Sequence, residues 1–404
     1  MLFHFSQYSS LLLLGFLHGM IFFFLLLWRG FQEDRTADKL LAVLLLICCL
    51  HISQYMLGFG GWYDSRDFHS TFMFYFPFHH ILLLGPIIYF YFLSLSNTHF
   101  KLTLQHWKHF IPGGIMLFVF VLMFSWDLVI QHWILGHQMP FHYGTQGAFS
   151  TYYQQHLAGI FQDLGYTSLI VYLYLTISIY RNYRDYINEH FSNTEEIEFS
   201  WLRNVLYANI LIIAFGFSID IIDQYIHNLN YDQYWVVYFG VVIFIYFISI
   251  SGYIGTKKIP AQLKFIPNAV ERPTAEDLQA DTTPLNPWKE KINSLMAAEV
   301  FLDPSLCLQD LAAQLQTNPS LLSKVINSGF GMNFNDFINS HRVVAVKIKL
   351  QQGVHEQLTL TSIAYDCGFN SKATFNRAFK KFTGKSPRDY LLQLEKEALI
   401  LANK

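Results

Sequence analysis

Charge is scarce in this sequence. Asp, Glu, Lys and Arg supply 14% of the residues, against roughly 25% in an ordinary soluble protein. With 39 Phe and 24 Tyr as well, the shortage argues against a single soluble globule. Cysteine is sparse too: there are four, Cys48, Cys49, Cys307 and Cys367. They form no CxxC pair and no Cys/His zinc spacing, so a disulfide framework and a structural zinc site are both excluded. Buried free thiols are the expectation. No metal ion and no cofactor is expected. The N-terminus lacks a basic n-region and a small-residue cleavage site, so the first apolar run is expected to be a retained span. Coiled-coil heptads and an internal repeat are also missing.

The hydrophobic excess is local, lying mostly before Gly255. A bilayer core takes about 20 apolar residues as helix. Seven runs meet that length, at 9–28, 39–59, 71–95, 109–130, 157–180, 201–226 and 234–254. The expected fold class is therefore all-α: a seven-transmembrane helix bundle followed by an all-helical domain. Lys and Arg alternate between the loops. Arg29, Arg35 and Lys39, then Lys101 and Lys108, then Arg181, Arg184 and Arg203, then Lys257 and Lys258 fall on one side. On the other, Arg66 stands alone, and 131–156 and 227–233 hold no Lys or Arg. Positive loops face the cytoplasm. The N-terminus is thus expected outside a bacterial inner membrane and the C-terminal domain in the cytoplasm.

Ionisable residues at membrane depth are costly and mark candidate sites. His79 and His80 lie in the third run, just before Gly85-Pro86, where a kink is expected. Asp163 lies in the fifth run, and Asp220 and Asp223, at i and i+3, share a face of the sixth. These five are candidate ligand-sensing residues, though interhelical hydrogen bonding or a wet interface is the more expected account of them. The outer loop 131–156 holds His132, His137, His142 and His156. Their spacing matches no tight metal motif, and a wet aromatic lid is the expectation. Residues 257–287 follow, with Pro260, Pro267, Pro273, Pro284 and Pro287 among Glu271, Glu276, Asp277 and Asp281. That composition reads as a solvated flexible connector. The expected domains are 1–256, the linker 257–287, and 288–398.

The last third changes character. From Leu285 on, Lys and Arg number 14 and Asp and Glu 10. From His341 to Arg388, nine basic residues face only Glu356 and Asp366. A basic face on a small helical domain suits a polyanion. Residues 308–315 have helical apolar spacing, Thr317-Asn318-Pro319 breaks it, and a short helix over 320–328 ends at Gly329. Leu311, Ala312 and Leu315 pack on Leu322, Val325 and Ile326, leaving Ser320, Ser323 and Lys324 outside. This is one helix-turn-helix. A longer helix over 333–352 joins it to a second. There Ile363 and Ala364 face inward, Gly368 ends the first helix, Phe369 staples the turn and Ser371 caps the next. The helix 372–382 buries Phe375, Ala378, Phe379 and Phe382 and presents Lys372, Thr374, Arg377 and Lys381. Such a helix enters the major groove with its first residues at base edges.

These residues carry a resemblance. Ile363-Ala364, Gly368-Phe369, Ser371, Phe375, Arg377-Ala378-Phe379-Lys380-Lys381, Gly384 and Ser386-Pro387 to Tyr390 resemble the signature of the AraC/XylS family of bacterial transcription regulators. Leu311-Ala312, Leu322-Ser323-Lys324, Gly331, Phe334, Phe337-Ile338 and Arg342 fit its first unit. The likeness covers about 288–394. Lys324-Val325-Ile326 replaces the more usual Arg-x-Phe-Lys, and Leu391 stands where Arg is common. The resemblance implies two recognition helices reading successive major grooves. It places the DNA contacts on Ser320, Ser323 and Lys324, and on Lys372, Ala373, Thr374 and Arg377.

The preferred expectation is a membrane-embedded one-component transcription regulator, not an enzyme. Its expected partners are double-stranded promoter DNA, the lipid bilayer, RNA polymerase, an unidentified small-molecule or envelope signal, and a second copy of the chain. The alternative is a membrane transporter or enzyme with a fused autoregulatory DNA-binding domain. Against it, the spans carry no paired-carboxylate or nucleophile motif and no transporter-type repeat. A third reading is a passive anchor that only localises the DNA-binding domain.

Overall fold

The computed structural model describes residues 4–64, 67–138, 147–195, 197–227, 229–255, 263–266 and 285–402. The described residues are helical, joined by turns and loops, with no strand beyond two isolated bridges. The chain divides into two units. One is Met1–Tyr180 with Phe199–Lys264; the other is Arg181–Glu198 with Phe265–Lys404.

In the first unit, α1 (Gln7–Gln32) and α2 (Thr36–Phe59) pack along each other. The third apolar run is not one helix. It divides into α3 (Phe68–Phe74) and α4 (Ile81–Ser96). Pro77, with no N–H to give, sits in the gap. The run continues through α5 (Leu104–Ile134), α6 (Ala148–His190), α7 (Ser200–Tyr225) and α8 (Tyr231–Gly255). Six helices among the described residues are long and apolar enough to cross a membrane. The expected seven full spans are therefore corrected to six, plus α4. At 16 residues, α4 reaches about 24 Å at 1.5 Å per residue, short of a hydrocarbon core of about 30 Å. The expected disturbance at Gly85-Pro86 is also displaced: the helix breaks at Pro77, and α4 runs on through Pro86. The carbonyl that Pro86 cannot engage belongs to Leu82, in the helix's first turn, which limits the penalty. Gly85 serves packing instead. A Cβ there would lie 2.9 Å from Tyr172 Cδ2 and 3.2 Å from the Ser168 carbonyl of α6.

Two buried carboxylates fix the turns of this unit. Arg29 Nε and Nη2 each donate to Asp38 at 2.7 Å, and Nη1 donates to the Tyr253 carbonyl at 3.0 Å. Asp38 is fully buried, so the bidentate fork ties the α1–α2 turn to the end of α8. Asp127 lies in the π-helical stretch Ser125–Ile134 of α5. It accepts from the backbone N–H groups of Phe149 at 3.1 Å and Ser150 at 2.8 Å, and from the Tyr75 hydroxyl at 3.2 Å. It thus satisfies donors at the start of α6 that have no intrahelical acceptor.

In the second unit, α9 (Leu285–Ala297), α10 (Leu308–Gln314) and α11 (Pro319–Phe330) close one hydrophobic cluster with the first half of α12 (Phe334–Gln351). The second half of α12, with α13 (Leu360–Asp366), α14 (Lys372–Thr383) and α15 (Pro387–Ala402), closes another. Leu311, Leu322, Val325 and Ile326 fill the first; Ile363, Phe369, Phe375 and Phe379 fill the second. Each such side chain contributes about 1.5–3 kcal/mol by burial. The inward residues fall where the periodicity puts them, with Leu315 and Phe382 only partly covered. One helix end moves. The helix expected to stop at Gly329 runs to Phe330, and Gly331 ends it in the left-handed region at φ +69°.

All four cysteines are buried and free, as expected. Cys307 caps α10, and burial pushes its thiol up to about 11. Within the 257–287 connector, Leu263 and Phe265 are buried, so that short stretch is held rather than solvated. The Leu263 carbonyl accepts from Thr98 N at 3.2 Å, and Phe265 lies against the Tyr183 and Tyr186 rings. Residues 256–262 and 267–284 of the connector and its border, and His142 of the outer loop, lie outside the described residues.

Candidate nucleic-acid interface

Each helix pair of the second unit has a local reason for its turn. After α10, Gln316 adopts φ +54° and Asn318 caps α11, accepting from Leu321 N at 2.7 Å. After α13, Gly368 takes φ +89°, and Phe369 N returns to the Ala364 carbonyl at 3.1 Å. A Cβ at Gly368 would lie 2.7 Å from the Phe301 carbonyl oxygen and 2.8 Å from that of Leu302. Ser371 caps α14, accepting from Thr374 N at 3.1 Å.

The caps aim two short helices whose outer faces carry the expected contact residues. On α11, Ser320 is exposed while Ser323 and Lys324 are half-buried. On α14, Lys372, Ala373 and Arg377 are exposed. Thr374 departs from expectation: it is 4% exposed. Lys381 is engaged by Asp336 at 2.6 Å. Arg342, counted in the basic surplus, is not on the surface at all. It is 1% exposed, donating to the Phe301 carbonyl at 2.8 Å and the Asp303 carbonyl at 2.7 Å. Burial pulls its guanidinium down to about 10. It is an internal brace between the two helix-turn-helix units.

What covers Thr374 is the segment Arg181–Glu198, which the sequence places between two apolar runs and which belongs to this unit. Phe191, Ser192, Thr194 and Ile197 are buried. The Asn335 amide donates to the carbonyls of Phe191 at 3.1 Å and Ser192 at 3.0 Å. Arg342 Nη2 reaches Ser192 Oγ at 3.2 Å, and Ser192 Oγ donates to the Leu306 carbonyl at 2.6 Å. At the end of this segment the Glu195 carboxylate accepts from the Ser371 hydroxyl and, at 3.1 Å, from the Thr374 hydroxyl. No local pattern in the sequence signals this docking.

The membrane candidates separate. His79 and His80, in the break before α4, line a cavity of about 890 Å³ in the first unit. His51, Gln54 and Tyr55 of α2, Gln162 of α6 and Tyr238 of α8 line it too, and none of these was singled out from sequence. Asp163 is exposed on α6 and is not part of the wall. Asp223 Oδ1 accepts from Leu229 N at 2.6 Å, a turn-closing role. Asp220 lies on α7, with its side chain outside the described residues. The five candidates therefore form no single site.

Comparison with known proteins bears on part of the second unit. Residues 311–393 match the family described as a helix-turn-helix domain. An uncharacterized HTH-type transcriptional regulator of Staphylococcus aureus (strain COL) is 32% identical over 102 residues, covering 25% of this chain and 13% of that protein. Its counterpart in strain N315 matches to the same extent. The regulatory protein PocR of Salmonella typhimurium is 25% identical over 129 residues, 32% of this chain and 42% of PocR. The match thus spans 13% of the Staphylococcus relatives' length and 42% of that of PocR. No solved structure matches. Match and geometry agree on the C-terminal region: it is a helix-turn-helix domain of the AraC type.

Proposed function

We propose that this protein is a membrane-embedded transcription regulator that binds promoter DNA sequence-specifically in the cytoplasm and responds to a signal received by its membrane unit. The observation that carries the reading is the outer face of α14. Lys372, Ala373 and Arg377 stand exposed at the start of a capped helix, the arrangement that presents side chains to base edges in a major groove. Arg377 and Lys372 supply donors suited to guanine, and Ala373 a methyl contact. Ser320, Ser323 and Lys324 form the corresponding set on α11, and Lys380 and Lys385 lie where phosphate contacts set register. Thr374 joins the contact set only when Glu195 leaves it. The charge alternation of the loops supports an outside N-terminus. RNA polymerase and a second copy of the chain are the further partners of this reading.

Genome-wide crosslinking of the full-length protein in its native membrane tests it. A few sharp sites with paired half-sites about one helical turn apart, lost in Arg377→Ala, are expected. Diffuse occupancy, or sharp sites that persist unchanged in Lys372→Ala and Arg377→Ala, would reject α14 as the reading helix.

A further inference from the structure

The cavity of the membrane unit has a composition that narrows what it takes. Its volume of about 890 Å³ lies within the range of about 300–1,000 Å³ usual for small-molecule sites. Among the described residues, no Asp, Glu, Lys or Arg lines it. An ion would therefore lose its water without gaining a counter-charge. The wall is mostly aromatic and aliphatic, interrupted by His51, His79, His80, Gln54, Gln154 and Gln162. Gln54 Oε1 is buried and has no hydrogen-bond partner among the described residues. A buried acceptor left so is costly unless a ligand or water donates to it. We propose that this cavity binds an uncharged, mainly apolar molecule carrying a hydrogen-bond donor that engages Gln54. Its regulatory consequence rests on the sensing role proposed above; the binding itself does not.

The test uses full-length protein in lipid nanodiscs with neutral N-phenyl-1-naphthylamine, which offers one N–H, and anionic anilinonaphthalene sulfonate. Saturable binding of the neutral probe is expected. It should weaken about tenfold in Gln54→Leu, the loss of about 1.4 kcal/mol, and weaken also when Ile47→Trp narrows the space. Equal binding of the anion, or neutral binding unchanged in both Gln54→Leu and Ile47→Trp, would overturn the site. A site that binds the probe but never alters promoter occupancy would leave the ligand class standing and remove the sensing role.

A separate observation concerns the DNA-reading face. The Glu195 carboxylate holds the Ser371 and Thr374 hydroxyls at the first turn of α14. This is where a DNA phosphate or base edge would receive the same donors. Arg377 borders a small cleft beside Thr194 and Glu198 of the same segment. A duplex seated on α14 would meet a fixed negative charge. We infer that the segment 191–195 is an autoinhibitory strap, with Glu195 standing in for phosphate, and that DNA binding requires its release.

Duplex DNA of mixed genomic sequence is the probe, with the full-length chain in nanodiscs. Glu195→Gln should bind about tenfold tighter. Asp185→Asn removes the same charge from the adjoining end of α6 without touching Ser371, and should change affinity less than about twofold; a tenfold change is about 1.4 kcal/mol. Equal gains in both variants would reduce the effect to net charge and overturn the strap. The pair Glu195→Cys with Ser371→Cys gives a second readout. Oxidation should lock the chain and abolish binding, and reduction should restore it. Failure to crosslink, or a locked chain that still binds, would overturn it as well.

Discussion

Removing the Asp38 carboxylate would take from Arg29 its bidentate partner inside the bundle. Breaking a buried pair from one side costs about 3–5 kcal/mol. Asp38→Ala should therefore lose its fold at markedly lower temperature in detergent, whereas Asp34→Ala, on a fully exposed carboxylate bridging Lys39 and Lys101, should not. Midpoints of heat-induced aggregation would rank the two. Gly368 makes a similar case in the other unit. Its φ of +89°, and two carbonyl oxygens 2.7 and 2.8 Å from where a Cβ would stand, leave no room for a side chain. Gly368→Ala should cost more than about 1 kcal/mol, read as a lower denaturation midpoint, while Gly384→Ala, in open space at φ +76°, should cost less. Gly368 was legible from sequence because turn chemistry is local. Asp38 was not, since its meaning depends on a partner across a turn and on the end of α8.

At the scale of elements, α14 is the most strongly determined piece. Its cap, its aromatic face and its closing glycine all lie within a dozen or so residues, so sequence alone placed it. The break at Pro77 was less legible because hydropathy averaged over a span does not register a short gap. The covering of Thr374 was not legible at all, because the strap comes from a segment far away in the chain. These origins separate the expected effects of substitution. Lys372→Ala and Arg377→Ala should each lose about 1–3 kcal/mol of specific binding. Lys385→Ala, as a phosphate contact, should weaken all sequences alike and reduce the salt slope by about 1. Binding isotherms at several salt concentrations would distinguish the two classes.

For the whole molecule, the second unit is assembled from two stretches of chain with α7 and α8 between them. Residues introduced as Asp185→Cys and Lys385→Cys should label from one side of the membrane with an impermeant maleimide, and Leu135→Cys from the other. The native thiols are buried and should stay silent. Opposite labelling of Asp185→Cys and Lys385→Cys would contradict the docking of the strap.

The divided origin of that unit also orders its birth. A ribosome releases the strap before α7 and α8 exist, and the helices that will receive it come last. The carbonyls of Phe191 and Ser192 must wait for Asn335, and the Ser192 hydroxyl for Arg342, until both intervening helices have been made. If α7 and α8 span a bilayer as proposed, they must between them cross it an even number of times for the two stretches to meet in one compartment. On the proposed topology, the second unit would close only on a chain threaded in that way.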